Sequence, residues 1–427
     1  MGSKQSRQSS GDVVGASQNH DRRRKSKPVA QSPRTPRRST LNQNQRILIE
    51  TLKSLKGEEG LTACGLEYRS VTIGEDGQLL VRSADEALNL SQAIPNSNMD
   101  HDGKGKDENC IEMTKLFHKE SNTMITSKNR KEYIADGTLY DIVCRLAMEY
   151  SQEVMAREGQ MEWVTIEESN QWSTQPIRAL VSRRIVEDES RLDKEPTLLM
   201  ITGNGYVRTG IFSRQHLLIT GLECSSMVDF VREAFKRSIN IIILDPNARG
   251  DRFGFATVGK SMARLFRRWE VGDTSKHANK NLYVLSHSQS GAQFVRYLLE
   301  KGECYIPRIS AIAFTDSTHN IQWTKQDSHE FLRNLLQSDR CIYFKRSDNR
   351  AGHVLKPVST IGEKVGTNEF WEHRFGKIKT LCAGTSEHSL TNWFTRFHIF
   401  DHFDRYMAAN ECVVEKNEHQ VNESCEC

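Results

Sequence analysis

A mostly parallel β-sheet with helices on both faces is the fold class this sequence predicts. Two observations carry that reading. Short apolar runs recur between residues 161 and 382, and the segments between the later runs place apolar residues at helical spacing. A third sharpens it. The run ending at Leu285 leads into Ser286, His287, Ser288, Gln289, Ser290 and Gly291, and then into a helical pattern of Ala292, Phe294, Val295, Leu298 and Leu299. A strand that turns sharply into a helix through small residues lifts one serine hydroxyl above the edge of a sheet.

Taken in order, residues 1–42 are Ser, Arg, Gln and Pro with almost nothing to bury, a composition that predicts a disordered basic tail. Residues 43–160 form a predicted N-terminal extension. It starts with a short helix and a pair of strands around residues 74–77, followed by a polar loop over 95–109. Between 129 and 159 comes an amphipathic helix with Leu139, Ile142, Val143, Leu146 and Tyr150 on one face. Residues 161–408 are the predicted main domain, with strands expected at 161–166, 177–185, 197–202, 240–244, 282–285, 309–314, 341–344 and 378–382. One intervening helix carries Met227, Phe230, Val231 and Ala234, and another Met262, Leu265, Phe266 and Trp269. Residues 409–427 read as a polar C-terminal tail. Ligands of such sheets bind outside the carboxyl ends of the strands.

The formal net charge is +4, yet residues 1–40 hold ten Lys/Arg against two Asp, so the rest of the chain is mildly acidic. A nucleic-acid-binding body shows a basic excess; here no strong direct nucleic-acid site is expected in the folded part, and phosphate contacts fall to the tail. Met1, Gly2 and Ser6 fit the pattern for N-myristoylation at Gly2. Arg22, Arg23, Arg24, Lys25 and Lys27 supply the second signal that one acyl chain needs for membrane anchoring, or equally a nuclear localisation signal. Ser32 and Thr35, each before proline and beside arginines, are places where phosphorylation would offset that charge. The expected location is intracellular, in nucleus or cytoplasm or at a membrane through the tail. Ten cysteines without a CxxC pair read as reduced usage, and Cys425 and Cys427 without histidine neighbours make a poor zinc site. Neither metal nor cofactor is expected, and no apolar run approaches the roughly 20 residues that span a bilayer.

Acyl transfer by serine needs a nucleophile, an imidazole to take its proton, a carboxylate to orient the imidazole, and N–H groups for the oxyanion. Candidates for all four follow predicted strands. Ser288 is the nucleophile, within SxSxS where GxSxG is the common form. Asp316, in Thr315-Asp316-Ser317-Thr318-His319-Asn320, follows one strand, and Asp348 follows the next as an alternative acid. His388 lies in the loop after the last strand and is expected within hydrogen-bond reach of Ser288 and against one of the two aspartates. Gly203, Asn204 and Gly205 follow the third strand of the sheet, so that the Gly205 and Gln289 N–H groups are the oxyanion candidates. The order Ser, Asp, His is that of α/β-hydrolases. Asp316 would otherwise cap its own turn, His388 would be a surface histidine, His319 bonds locally, and Arg208 serves substrate or an ion pair.

Five blocks resemble the Argonaute-binding-protein-two domain family, which includes animal cotranscriptional regulators. They are MITGNGYVRTGIFSR (200–214), IIILDPNARG (241–250), SHSQSG (286–291), AFTDSTHN (313–320) and AGTSEHSLTNW (383–393). The resemblance implies an α/β-hydrolase-like fold and a role linked to Argonaute, small RNA, heterochromatin or splicing in the nucleus. It carries the triad positions onto Ser288, Asp316 and His388. Members look like hydrolases whose attested work is interaction. This chain departs from the pattern at Thr202-Gly203, where His-Gly is usual, at Ser290, where Gly is usual, and in a short insertion before the nucleophile strand. The reading that follows is a scaffold, with weak or no catalysis, that recruits Argonaute or chromatin and RNA-processing proteins; the alternative is an active serine hydrolase for esters or thioesters, tethered to membrane by its tail.

Overall fold

The computed structural model describes residues 43–73, 79–80, 111–169, 175–271, 279–324, 326–347 and 359–424. The tail over 1–42, the expected loop over 95–109, Asp348, Cys425 and Cys427 lie outside the described residues. Helices α1 (Gln43–Ser54) and α2 (Gly57–Ala63) lead into a small sheet. Its strands are β1 (Leu66–Ile73), β2 (Leu79–Leu80), β3 (Ile111–His118) and β4 (Thr123–Met124), antiparallel in the order β2-β1-β3-β4. The long helix α3 (Thr138–Glu158) buries Ile142, Val143, Leu146, Ala147, Val154 and Met155 along one stripe, as its spacing predicts.

Eight strands form the main sheet: β5 (Met161–Glu167), β6 (Ile177–Ser182), β7 (Thr197–Ile201), β8 (Asn240–Leu244), β9 (Leu282–His287), β10 (Ile309–Thr315), β11 (Cys341–Lys345) and β12 (Lys379–Cys382). They lie in the order β12-β11-β10-β9-β7-β8-β6-β5, with β6 alone running against the others. The crossover that seats β8 outside β7, followed by strands adding in sequence on the other side, is the α/β-hydrolase arrangement. Helices α4 (Arg214–Ile219), α5 (Val228–Lys236), α6 (Gly254–Leu265), α7 (Gln289–Tyr305), α8 (Glu330–Gln337), α9 (Glu369–Phe375) and α10 (Thr391–Ser424) fill the connections.

The central strands β7 to β11 are buried along their whole length and mostly apolar because helices cover both faces. Leu198 and Met200 of β7 enter one core with Leu146 and Met155 of α3, Phe230 of α5 and Phe400 of α10. Leu199 and Ile201 enter the other, with Met262 of α6, Phe294 of α7 and Leu335 of α8. Leu61, Leu66 and Leu116 of the extension belong to the first core, and residues from Ile47 on form one compact unit. The boundary expected at 160/161 therefore separates two sheets rather than two cores.

Two expectations need correction. The strand expected over 177–185 stops at Ser182, the last residue paired with β5; the next N–H, of Arg183, turns to Gln160 O at 2.9 Å and residues Arg183–Glu187 become helical. The helix expected through Trp269 breaks at Phe266 and resumes as Arg267–Val271. After residue 408 the segment expected to be a polar tail continues α10 as far as Ser424.

Candidate active site

β9 runs two residues past its expected end, pairing Ser286 with Phe314 and His287 with Thr315 of β10. Ser288 follows at φ 58° and ψ −129°, a conformation that non-glycine residues rarely occupy and that costs about 1–3 kcal/mol. Gln289 is the first residue of α7, so its N–H has no intrahelical acceptor and stands at the positive end of the helix dipole. Two bonds hold the turn against its neighbour, Ser288 N–H donating to Thr315 O at 2.9 Å and Thr318 N–H donating to Ser288 O at 3.0 Å, and within the turn Gly291 N–H donates to Ser288 O at 3.3 Å.

The serines that stand for glycine are accommodated inward. Ser290 Oγ is buried and lies 2.9 Å from Ile201 O, 2.7 Å from His287 O and 2.8 Å from Ser286 Oγ. They pin the turn to the end of β7. The positions where only glycine fits lie elsewhere. A Cβ on Gly203 would come within 2.9 Å of Ser288 Cβ, and one on Gly291 would overlap Ser317 Oγ. Thr202 is likewise buried, its hydroxyl 3.4 Å from Leu244 O.

The glycine loop is braced from two sides. Asn247 Nδ2 donates to Gly203 O at 2.9 Å and to Val207 O at 3.1 Å, while Gln293 Nε2 donates to Asn204 Oδ1 at 2.8 Å. Arg208 pairs with the buried Asp245 at 2.8 Å, forming the ion pair that was one of its two expected roles. Gly203 is the glycine seated against the elbow. Gly205, at φ 135°, has nothing within 4 Å of where a Cβ would stand.

Asp316 and His388 meet. His388 Nδ1 lies 2.6 Å from Asp316 Oδ2, and Asp316 sits at φ 42° with its N–H donating to Phe344 O at 2.8 Å. The carboxylate thus reaches across to the imidazole instead of capping its own turn. Burial pushes its pKa up, but the His388 hydrogen bond and the charges of His388 and Arg346 outweigh burial and leave it below the usual carboxylate value. The His388 ring packs on His287 at a tilt, centroids 4.7 Å apart and planes at 31°, which sets it directly beside the elbow. His287 is buried, its Nδ1 3.2 Å from Thr315 Oγ1, which in turn donates to Asn392 Oδ1 at 2.7 Å. Burial first, then the neighbouring His388, lowers its pKa to about 3 and keeps it neutral. The Ser288 hydroxyl makes no hydrogen bond among the described residues, so the link to His388 is open.

His319 bonds locally, its Nδ1 3.0 Å from Ser317 Oγ, and stacks on Phe314. The sequence reading did not single out His287, Asn247, Asn392 or Arg346. Arg346 Nε lies 3.5 Å from Asp316 Oδ2, and the one signal available for it was its place directly after a strand at the carboxyl edge. Among the described residues no group of three or more His, Cys, Asp or Glu is placed to hold a metal, and no helix is long and apolar enough to cross a membrane.

No family model matches the chain. Among curated proteins it is 21% identical over 333 residues to cotranscriptional regulator ARB2A of Mus musculus, covering 64% of this chain and 71% of that one. It is 20% identical over 321 residues to cotranscriptional regulator ARB2A of Homo sapiens, covering 62% and 70%. Among solved structures, naproxen esterase (carboxylesterase NP) from Bacillus subtilis aligns at 8% identity over 62% of this chain and 98% of its own, with a TM-score of 0.33. Est1E from Butyrivibrio proteoclasticus aligns at 10% identity over 60% and 99%, with a TM-score of 0.28. Superpositions this loose add nothing to the fold assignment, which rests on strand order. By sequence, then, the chain resembles proteins named cotranscriptional regulator ARB2A, and by strand order it is built as an α/β-hydrolase.

Proposed function

We propose that this chain is a regulatory protein whose α/β-hydrolase frame carries a serine acyl-transfer site for esters or thioesters. The observation that carries this reading is the 2.6 Å bond between His388 and Asp316 beside a serine held on a strained strand-to-helix turn. In the reaction Ser288 Oγ attacks the carbonyl carbon and His388 Nε2 takes its proton. Asp316 stabilises the imidazolium, and the Gln289 N–H and the glycine loop face the oxyanion. His388 then returns the proton to the leaving group, and water repeats the sequence to free Ser288. The open Ser288–His388 link is compatible with this, because such bonds commonly tighten only when substrate binds. Ser290 and Thr202 satisfy their hydroxyls inward and leave the Gln289 N–H in place. The test is turnover of a short-chain p-nitrophenyl ester. Wild type should exceed Ser288→Ala by several orders of magnitude, and equal background rates would sink the catalytic reading.

A second reading is favoured by the shared name of the relatives and by the open Ser288–His388 link. Here the frame is a scaffold in cotranscriptional regulation that recruits Argonaute or chromatin and RNA-processing proteins. It expects pull-down of Argonaute-type proteins that survives Ser288→Ala, and no Ser288-dependent turnover. In either case the tail sets location, through Gly2 acylation with the basic cluster at a membrane, or through the cluster alone in the nucleus.

A further inference from the structure

The oxygen that orients His388 is shared. Asp316 Oδ2 lies 2.6 Å from His388 Nδ1 and 3.5 Å from Arg346 Nε. Arg346 leaves the end of β11, the strand whose Phe344 carbonyl accepts the Asp316 N–H, so the backbone itself sets the two side chains next to each other. Both are largely withdrawn from solvent, with 26% of the Arg346 side chain and 13% of the Asp316 side chain exposed, and a fixed charge there is weakly screened.

We propose that Arg346 is a positioning residue that restrains the basicity of His388 by drawing on the carboxylate both residues share. The inference rests on the acyl-transfer reading above. An imidazolium forms when His388 takes the Ser288 proton, and the Asp316 charge is what stabilises it. A guanidinium stays charged throughout, so it offsets part of that field in both the resting and the protonated state. The other groups facing the pair do not supply this charge. His287, under the His388 ring, is held neutral by burial. Glu387, next in chain to His388, points toward His216, with 4.0 Å between Oε1 and Nε2. Tyr343 of β11 donates its hydroxyl to Ser317 O at 2.8 Å. Among the described residues, Arg346 is the arginine or lysine paired with Asp316.

Removing the charge gives a signed expectation. In Arg346→Gln the whole Asp316 charge acts on His388, so the imidazolium is favoured and the neutral ring is a stronger base. The experiment follows the His388 ring through a pH titration by proton–carbon NMR, assigned by its loss in His388→Gln, in wild type, Arg346→Gln and Arg346→Lys. A fluorophosphonate probe is then reacted with each protein across the same pH range. In that reaction Ser288 Oγ bonds to phosphorus, fluoride leaves, and the serine proton passes to His388. The His388 titration midpoint should rise by about half a unit to one unit in Arg346→Gln, with the acid limb of labelling moving the same way. Arg346→Lys should stay near wild type, which separates charge from packing. A midpoint that is unchanged or lower in Arg346→Gln, in a protein with the wild-type circular dichroism spectrum, overturns the proposal. Failure of the acyl-transfer reading is distinguishable, since it appears as no labelling of Ser288 in any variant whatever the titration shows.

Discussion

At the scale of single residues, the elbow is defined by the two glycines that neighbours press against. Gly291 opens the first turn of α7 against Ser317, and Ser317 directly follows Asp316. Adding a methyl there forces a side chain or the turn to move, so Gly291→Ala should cost about 1–3 kcal/mol, read by urea denaturation. It should also lower any Ser288 reactivity, because the displaced turn carries the carboxylate. A variant with wild-type stability would show that the contact relaxes freely. The presence of Ser288 and His388 was readable from order along the chain. The choice of acid was not, since Asp316 and Asp348 both follow strands. Only the cross-strand placement of Asp316 opposite the His388 loop brings it to the imidazole, and Asp348 lies outside the described residues. Arg346 offered only its place after a strand, since nothing in its spacing says which carboxylate it faces.

At the scale of elements, the small sheet is attached to the main domain by a buried charge. Glu223 accepts from Thr114 N–H and from Thr114 Oγ1, each at 2.8 Å, and pairs with Arg232 of α5 at 2.9 Å. Glu223→Ala leaves the Thr114 N–H without that acceptor, whereas Arg232 keeps its second partner Glu158. The expected loss is about 3 kcal/mol, the lower end for breaking a buried pair, with faster proteolysis within β1 and β3 as the local readout. A loss too small to resolve by denaturation would contradict this role. The central strands β7 to β11 were legible because burial on both faces writes a nearly continuous apolar run into each. β3 was not, because it is a long-range antiparallel partner of β1 in a sheet whose faces are unequal, and local periodicity does not report such pairing. The end of β6 was missed for a related reason. Ile185 is buried like a strand residue, but it sits on a helical turn.

At the scale of the whole molecule, three buried histidines tie stability to pH. Burial pushes His287 and His319 down to about 3 and His402 to about 4. In the unfolded chain each binds a proton near pH 6.5, so as pH falls below that value the unfolded state takes up protons the folded state refuses. Their stabilising contribution is complete above about pH 6.5 and is lost toward pH 3–4, with a slope of up to about 4 kcal/mol per pH unit for three groups. Asp316, held low, acts in the same direction at still lower pH. Denaturant midpoints should therefore drop clearly from pH 7 to pH 5, and a flat profile would contradict the burial of these rings. For the tail, Gly2→Ala should release a membrane-bound pool in cell fractionation without changing the stability of the body. An unchanged distribution would leave the basic cluster to act without the acyl chain.

The central claim is that Ser288 is a nucleophile activated by His388 and Asp316. Its most direct measurement is the site of fluorophosphonate attachment, read by peptide mass spectrometry on the full chain and on His388→Ala. The account predicts one adduct, on Ser288, that falls by orders of magnitude in His388→Ala. No adduct on Ser288, or the same yield in both proteins, would contradict it.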